Sequence, residues 1–84
     1  MNVGDLVRLK RPFRPSRLSP EAYKFAVVVG VIPEDSESIV LVHLFDPKTV
    51  NIYTDESGAR AIYSFQFNEV EYVGDRPADL PDIA

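Results

Sequence analysis

Two apolar stretches joined by a polar run, FAVVVGVI at residues 25–32 and IVLVHLF at residues 39–45, decide the fold class of this chain. Both are short and rich in β-branched residues, and in neither do apolar positions recur every three to four residues over the length of a helix. The polar run between them, PEDSES at residues 33–38, has the composition of a turn. We therefore expect two strands, of which the one at residues 39–45, apolar on both alternating faces, is the more buried.

The segments on either side of this pair also have strand character. Residues 3–10 alternate apolar and polar positions and predict a first strand from about Leu6. Residues 50–53 and 59–65 flank a polar run in which Gly58 can adopt a positive φ. We therefore expect these two segments to form a hairpin with each other.

Prolines and one glycine predict where regular strand structure is interrupted. Pro12, Pro15 and Pro20 fall within residues 11–21, and because proline has no amide hydrogen we expect this stretch to be a long, semi-rigid loop. Gly30 lies inside the second strand and predicts a bulge there.

The remaining segments complete the predicted architecture. Residues 46–49 predict a turn, and residues 65–69 predict one helical turn before a last strand at residues 70–73. The fold class is therefore all-β: a small five-stranded SH3-like barrel over residues 1–73, with a long proline-rich first loop. An OB-fold is the nearest alternative, but the third connection is too short for its helix. We expect residues 74–84, with two prolines and three aspartates, to be a flexible acidic tail.

Composition limits the functions that this chain can have. Its 84 residues suffice for one domain, and the formal net charge is −4. Residues 1–24 hold six Lys or Arg and two Asp or Glu, a net of +4, whereas residues 25–84 hold three and eleven, a net of −8. The overall negative charge disfavours nucleic-acid binding without excluding it. The absence of cysteine excludes disulfides and thiol catalysis and favours a reducing cytoplasm, and no apolar run is long enough to span a membrane.

The positive charge is concentrated in one segment of ten residues. Five cations are interleaved there with an aromatic residue and with prolines, and a loop restrained by proline loses less entropy on binding. Arginine also pairs bidentately with carboxylates. The predicted partner-binding residues are Arg8, Lys10, Arg11, Phe13, Arg14 and Arg17. We expect them to dock on an acidic protein partner; a solvated connector and, with exposed aromatic rings, single-stranded RNA binding are the alternatives.

Residues suited to catalysis or metal binding are sparse. His43 is the only histidine, and it lies in an apolar strand with no neighbouring nucleophile or orienting carboxylate, which favours a structural role. Asp46, Asp55 and Glu56 belong to two different turns and lack the spacing of a calcium loop. We therefore expect a protein that is not an enzyme and has no metal site and no cofactor. The oligomeric state is left open.

Both ends of the predicted barrel resemble a known family. VGDLVRLKRP at residues 3–12 and YSFQFNEVEYV at residues 63–73 resemble the ends of small SH3-like subunits of oxygenic photosynthesis, of the photosystem I reaction-centre subunit IV and ferredoxin–thioredoxin reductase variable chain type. The resemblance implies a non-catalytic accessory subunit that docks on a larger assembly. The loop after Pro12 is longer than in the subunit IV pattern.

Two further resemblances give the alternative functions. The strand opening GDLV at residues 4–7 is similar to that of KOW-type RNA-binding modules and of toxin endoribonucleases built on an SH3-like barrel. Those enzymes carry Arg-Pro before the second strand, where this chain has Lys24 and Phe25. They also carry a polar residue after the third strand, where this chain has Leu44 and Phe45. The residues for acid–base cleavage of a phosphodiester are therefore missing.

The predicted tail and the predicted central strand should differ in their effect on stability. We expect deletion of residues 75–84 to cost well under about 1 kcal/mol of unfolding free energy, because the tail has few apolar side chains to bury. Val42→Ala in the central strand should cost on the order of 1–3 kcal/mol. Urea unfolding of both variants tests this, and equal losses would contradict it.

Overall fold

The structure, a computed structural model, describes residues 1–17, 19, 22–35 and 37–74. It confirms an all-β fold, with one antiparallel sheet and a short 3₁₀ turn before the last strand. The described residues contain six strands, one for each strand segment named above and one more than a five-stranded barrel has. They are β1 (Leu6–Phe13), β2 (Tyr23–Ile32), β3 (Ile39–Asp46), β4 (Asn51–Ile52), β5 (Tyr63–Gln66) and β6 (Val70–Gly74), and the 3₁₀ turn is η1 (Phe67–Glu69).

The strands follow the order β4-β3-β2-β1-β6, and β5 also pairs with β3. Consecutive strands are therefore mostly neighbours in the sheet, and the last strand, β6, pairs with the first, β1. Closure of this sheet into an SH3-like barrel stays a prediction. The predicted tail lies, apart from Gly74, outside the described residues.

The first loop is shorter than its prolines predict. β1 continues through Pro12 to Phe13, which pairs with Tyr23 at the start of β2. The prediction that residues 11–21 are all loop is therefore wrong at its beginning. Proline is tolerated there because the pairing of β1 with β2 is irregular between Arg8 and Phe13, so a missing amide hydrogen does not break a regular ladder.

The bulge predicted at Gly30 is confirmed. Val28 pairs with Val42 whereas Gly30 pairs with Leu41, so β2 contains one extra residue between the two pairs. A Cβ atom at position 30 would lie 3.3 Å from Cδ1 of Leu41, which is closer than ordinary van der Waals contact. Glycine therefore allows β2 and β3 to approach each other at this bend.

The predicted hairpin between residues 50–53 and 59–65 is wrong. β4 and β5 do not pair with each other in the described structure; both pair with β3. Ile52 faces Phe45, so an uninterrupted ladder would place residue 55 opposite Val42, but Tyr63 lies there instead. β4 and β5 are thus two pieces of one edge strand, separated by an excursion of residues 53–62. The pairing of β5 with β3 packs Tyr63 against the buried core, and this burial favours it over a hairpin between β4 and β5.

Alternation along the strands fills two apolar clusters on opposite faces of the sheet. The inner cluster consists of Val7, Leu9, Ala26, Val28, Val40, Val42, Leu44 and Val70, and half-buried aromatic side chains pack against it. The outer cluster consists of buried Val27 and Phe45 with Leu6, Phe25, Val50 and Ile52 around them. The two clusters confirm that β3 is apolar on both faces.

The turn after β3 places one valine in a strained conformation. Residues 47–50 form the predicted turn, and the amide of Lys48 donates to Oδ1 of Asp46 at 2.9 Å. Val50 has a φ of 55°, in the left-handed region that β-branched residues rarely adopt. Such strain costs roughly 1–3 kcal/mol, and the packing of Val50 in the outer cluster offsets it.

Asp55 holds the excursion in a compact loop. Its Oδ1 accepts hydrogen bonds from the amide of Ser57 at 2.9 Å, the hydroxyl of Ser57 at 2.6 Å and the amide of Ala59 at 3.0 Å. Gly58 has a φ of 83°, as its place in the loop predicts, and its amide donates to the carbonyl of Asp55. The bonds from Ser57 and Ala59 lower the pKa of Asp55 below its ordinary value of 3.8.

The depressed pKa of Asp55 makes the excursion sensitive to acid. A carboxyl whose folded-state pKa lies below its unfolded value stabilises the protein above the unfolded pKa, and this contribution is lost as the pH falls through the folded-state pKa. We expect Asp55→Asn to lower the Tm at neutral pH and the difference from wild type to shrink below about pH 4. Thermal melts across this range, with the exposed Asp35→Asn as the matched control, test this. A difference that does not change with pH would contradict it.

Candidate binding surface

The predicted site residues on β1 lie on the exposed face of the strand. Val7 and Leu9 point into the inner cluster, so Arg8 and Lys10 point outward, and Arg11 is exposed beside them. Arg8 pairs with Glu71 of β6 and donates a hydrogen bond to its carboxylate. This bond, together with the charge of Arg8, lowers the pKa of Glu71. Both side chains are about half exposed, so the ion pair contributes little stability.

Phe13 packs against the core as well as ending the first strand. Its ring meets Tyr63 edge-on with centroids 5.0 Å apart, and Phe65 at 5.5 Å. The side chain is half buried against the inner cluster. Edge-to-face pairs of this kind add stability beyond the buried area. The structure therefore gives Phe13 a packing role that the sequence pattern did not indicate.

The two arginines of the first loop have different surroundings. Arg14 donates from Nη1 to the carbonyl of Ser19 at 2.8 Å, across five residues, and this bond holds the two arms of the loop together. Arg17, which lies between these two residues in the sequence, is exposed. The predicted basic residues thus form a strip from the outer face of β1 to the loop, in which Arg14 restrains the loop.

A groove that sequence reasoning missed borders this loop. Its volume is about 370 Å³, and it is lined by Ser19, Ala22, Tyr23, Lys24, Phe25, Phe45, Asp46, Pro47 and Lys48. Phe25 and Phe45 are paired residues of β2 and β3 and form an aromatic floor. Lys24 and Lys48 are exposed at the rim. We call this the lysine groove; beside its apolar floor it has two lysines and one carboxylate, that of Asp46.

The lysine groove brings together residues that lie far apart in the sequence. Lys24 and Lys48 both line it because Phe25 of β2 pairs with Phe45 of β3, just before the turn that carries Lys48. The register of these two strands was not predictable from either strand alone. The groove therefore depends on a pairing that tertiary structure decides.

His43 has a structural environment in β3. It is 7% exposed, and its Nδ1 lies 3.1 Å from the carbonyl oxygen of Ala61. A carbonyl oxygen only accepts hydrogen bonds, so Nδ1 carries the proton and donates it. This bond ties the excursion to β3 at the gap between β4 and β5.

Metal-ligand clusters and membrane-spanning helices are both absent from the described residues. Within them, no group of three His, Cys, Asp or Glu side chains is arranged to hold a metal ion. No helix in this part of the chain combines the length and apolar character needed to cross a bilayer.

Comparisons of the chain with protein-family models, curated proteins and solved structures find no match. The resemblance to photosynthetic accessory subunits therefore stays a prediction, as do the RNA-binding and endoribonuclease alternatives.

A substitution at Phe13 tests whether its ring belongs to the core or is available to a partner. We expect Phe13→Ala to cost about 2–3 kcal/mol of unfolding free energy, because it removes two aromatic contacts and leaves a cavity beside the inner cluster. Phe67→Ala, at a more exposed ring of η1, should cost less than half as much. Urea unfolding measures both, and a silent Phe13→Ala would show that its ring is available to a partner.

Proposed function

We propose that this chain is a non-catalytic protein-binding module that docks on an acidic segment of a larger assembly. The contact surface consists of the basic strip on β1 and the first loop, together with the lysine groove. The observation that carries the proposal is the lining of that groove, which combines an aromatic floor with two lysines and with Ser19 and Ala22 of the first loop.

The chemistry of the lysine groove supports a partner that is both apolar and acidic. Phe25 is half buried and offers apolar surface that an inserted side chain would cover, at roughly 25 cal/mol per Å², whereas Phe45 is 3% exposed and adds little to it. Lys24 and Lys48 attract carboxylates flanking that side chain. The bond from Arg14 to Ser19 restrains the loop before binding, which lowers the entropy cost of association.

The attraction between the local cations and an acidic partner acts only at short range. The whole chain carries −4, so an acidic partner is repelled at long range. Screening at physiological ionic strength limits such interactions to about 8 Å, and within that distance the local cations dominate. Docking should therefore depend on contact with the strip and the groove rather than on long-range steering.

The proposal extends to the biological setting. An accessory subunit of a larger assembly is what the resemblance to photosynthetic subunits favours, and the cysteine-free sequence favours the cytoplasm. An RNA partner is less favoured because of the overall negative charge.

Charge variants test the docking surface directly. We expect Lys24→Gln with Lys48→Gln, and separately Arg11→Glu, Arg14→Glu and Arg17→Glu together, to reduce recovery of protein partners from source-cell lysate several-fold, because each removes local attraction. The matched control is Ser64→Glu with Asn68→Glu, which lowers the net charge as much as the lysine pair does but at exposed sites outside the groove and the strip.

The pull-down is made at low and high salt, with and without ribonuclease, and partners are identified by mass spectrometry. Loss of partners at high salt and in the two groups of variants supports the proposal. Recovery of the same proteins with the same salt sensitivity by wild type and variants would refute it. Recovery that ribonuclease abolishes would replace it with the RNA-binding alternative.

A further inference from the structure

A second groove lies between the first loop and the excursion. It has a volume of about 430 Å³ and includes Pro15, Tyr53, Asp55, Glu56 and Tyr63 in its lining. None of these residues belongs to the lysine groove or to the predicted basic set. We call this second surface the tyrosine groove.

The two tyrosine rings of this groove are held in place by contacts with other aromatic rings. Tyr53 packs against Tyr23 with centroids 5.6 Å apart, and Tyr63 packs against Phe13 at 5.0 Å. Both tyrosines also contact the inner cluster. Rings fixed in this way lose little side-chain entropy when a ligand packs on them.

The carboxylate of Asp55 is also fixed in position. Its three hydrogen bonds from Ser57 and Ala59 fix its position at the side of the groove. Glu56 follows it and is exposed. The described lining contains these two carboxylates and no lysine or arginine, so the groove has negative charge beside aromatic surface.

The pKa of Tyr63 reflects both the burial of its hydroxyl and the negative charge in the tyrosine groove. Burial raises the pKa of its hydroxyl, and the neighbouring Tyr53 and Asp55 raise it further. Both neighbours act by disfavouring a second negative charge at this place. The negative charge of Asp55 would favour a positive group in the groove.

We propose that the tyrosine groove binds an arginine side chain carried on an extended segment of a protein partner. A guanidinium group is planar, stacks on aromatic faces and pairs with carboxylates, and the groove offers two tyrosine rings and the exposed carboxylate of Glu56, with the charge of Asp55 beside it. This second site takes a ligand of the opposite charge to the one that the lysine groove takes. It rests on different residues and does not depend on the proposed function.

Other classes of ligand fit the groove less well. A nucleic acid or another anion would be repelled by Asp55 and Glu56. A divalent cation prefers several oxygen ligands, but Oδ1 of Asp55 already accepts three hydrogen bonds, and aromatic faces are not ligands for such ions. An uncharged apolar ligand would leave the carboxylates without a role.

The test is an NMR titration of the full chain with an acetylated and amidated heptapeptide, Ala-Pro-Ala-Arg-Ala-Pro-Ala. Its matched counterpart carries citrulline, which keeps the shape of arginine without the charge. We expect the amides of Tyr53, Glu56 and Tyr63 to shift on titration, and the citrulline peptide to bind roughly tenfold more weakly, as the loss of a desolvated cation–π contact predicts.

Two variants of equal charge separate the groove from a general charge effect. Glu56→Gln should weaken binding of the arginine peptide several-fold, whereas Glu34→Gln, at an exposed position in the connection between β2 and β3, should leave it unchanged. Both positions are exposed, so we expect both variants to fold.

Three results would overturn the proposal. The first is equal binding of the arginine and citrulline peptides, and the second is an equal effect of Glu34→Gln and Glu56→Gln. The third is a concentration-dependent shift of the same amides without peptide, because the occupant would then be an arginine of a second copy of this chain.

Discussion

The burial of β3 on both faces and its pairing along both edges is the constraint on which the rest of the structure depends. One edge pairs with β2 almost from end to end, and the other pairs with β4 and then β5. Val42 and Leu44 face the inner cluster while Phe45 faces the outer one. A strand enclosed in this way has to satisfy its backbone hydrogen bonds within the sheet, because water does not reach it.

That requirement explains the form of the excursion. Where the edge strand leaves β3, the amide of Tyr53 still donates to the carbonyl of Leu44 at 2.9 Å, and the imidazole of His43 donates to Ala61. The chain then closes through Asp55 and returns at Tyr63 to resume the ladder. A polar loop is therefore anchored at both ends by the central strand, and the tyrosine groove lies at its base.

The first loop separates two surfaces of opposite charge. Ser19 and Ala22 line the lysine groove, whereas Pro15 and Ser16 line the tyrosine groove, and the bond from Arg14 to Ser19 joins the arms of the loop. A net charge of −4 describes neither surface. Local charge beside fixed aromatic rings therefore describes these two surfaces better than the overall acidity of the chain does.

The features that depend on local chemistry can be predicted from the amino-acid sequence alone. The β class, the burial of β3, the bulge at Gly30, the positive φ of Gly58 and the 3₁₀ turn before β6 follow from alternation, from β-branched content and from the conformational freedom of glycine. Each of these acts over a few neighbouring residues, so a single sequence contains the information. The strip of cations on β1 and the first loop could be predicted for the same reason.

Only the tertiary structure decided which segments pair and which side chains meet. The extension of β1 through Pro12, the packing of Phe13, the assignment of β4 and β5 to one edge, and the two grooves all depend on contacts between distant residues. Strand register is set by the burial of a whole face, and no local pattern reports which distant residue completes that face.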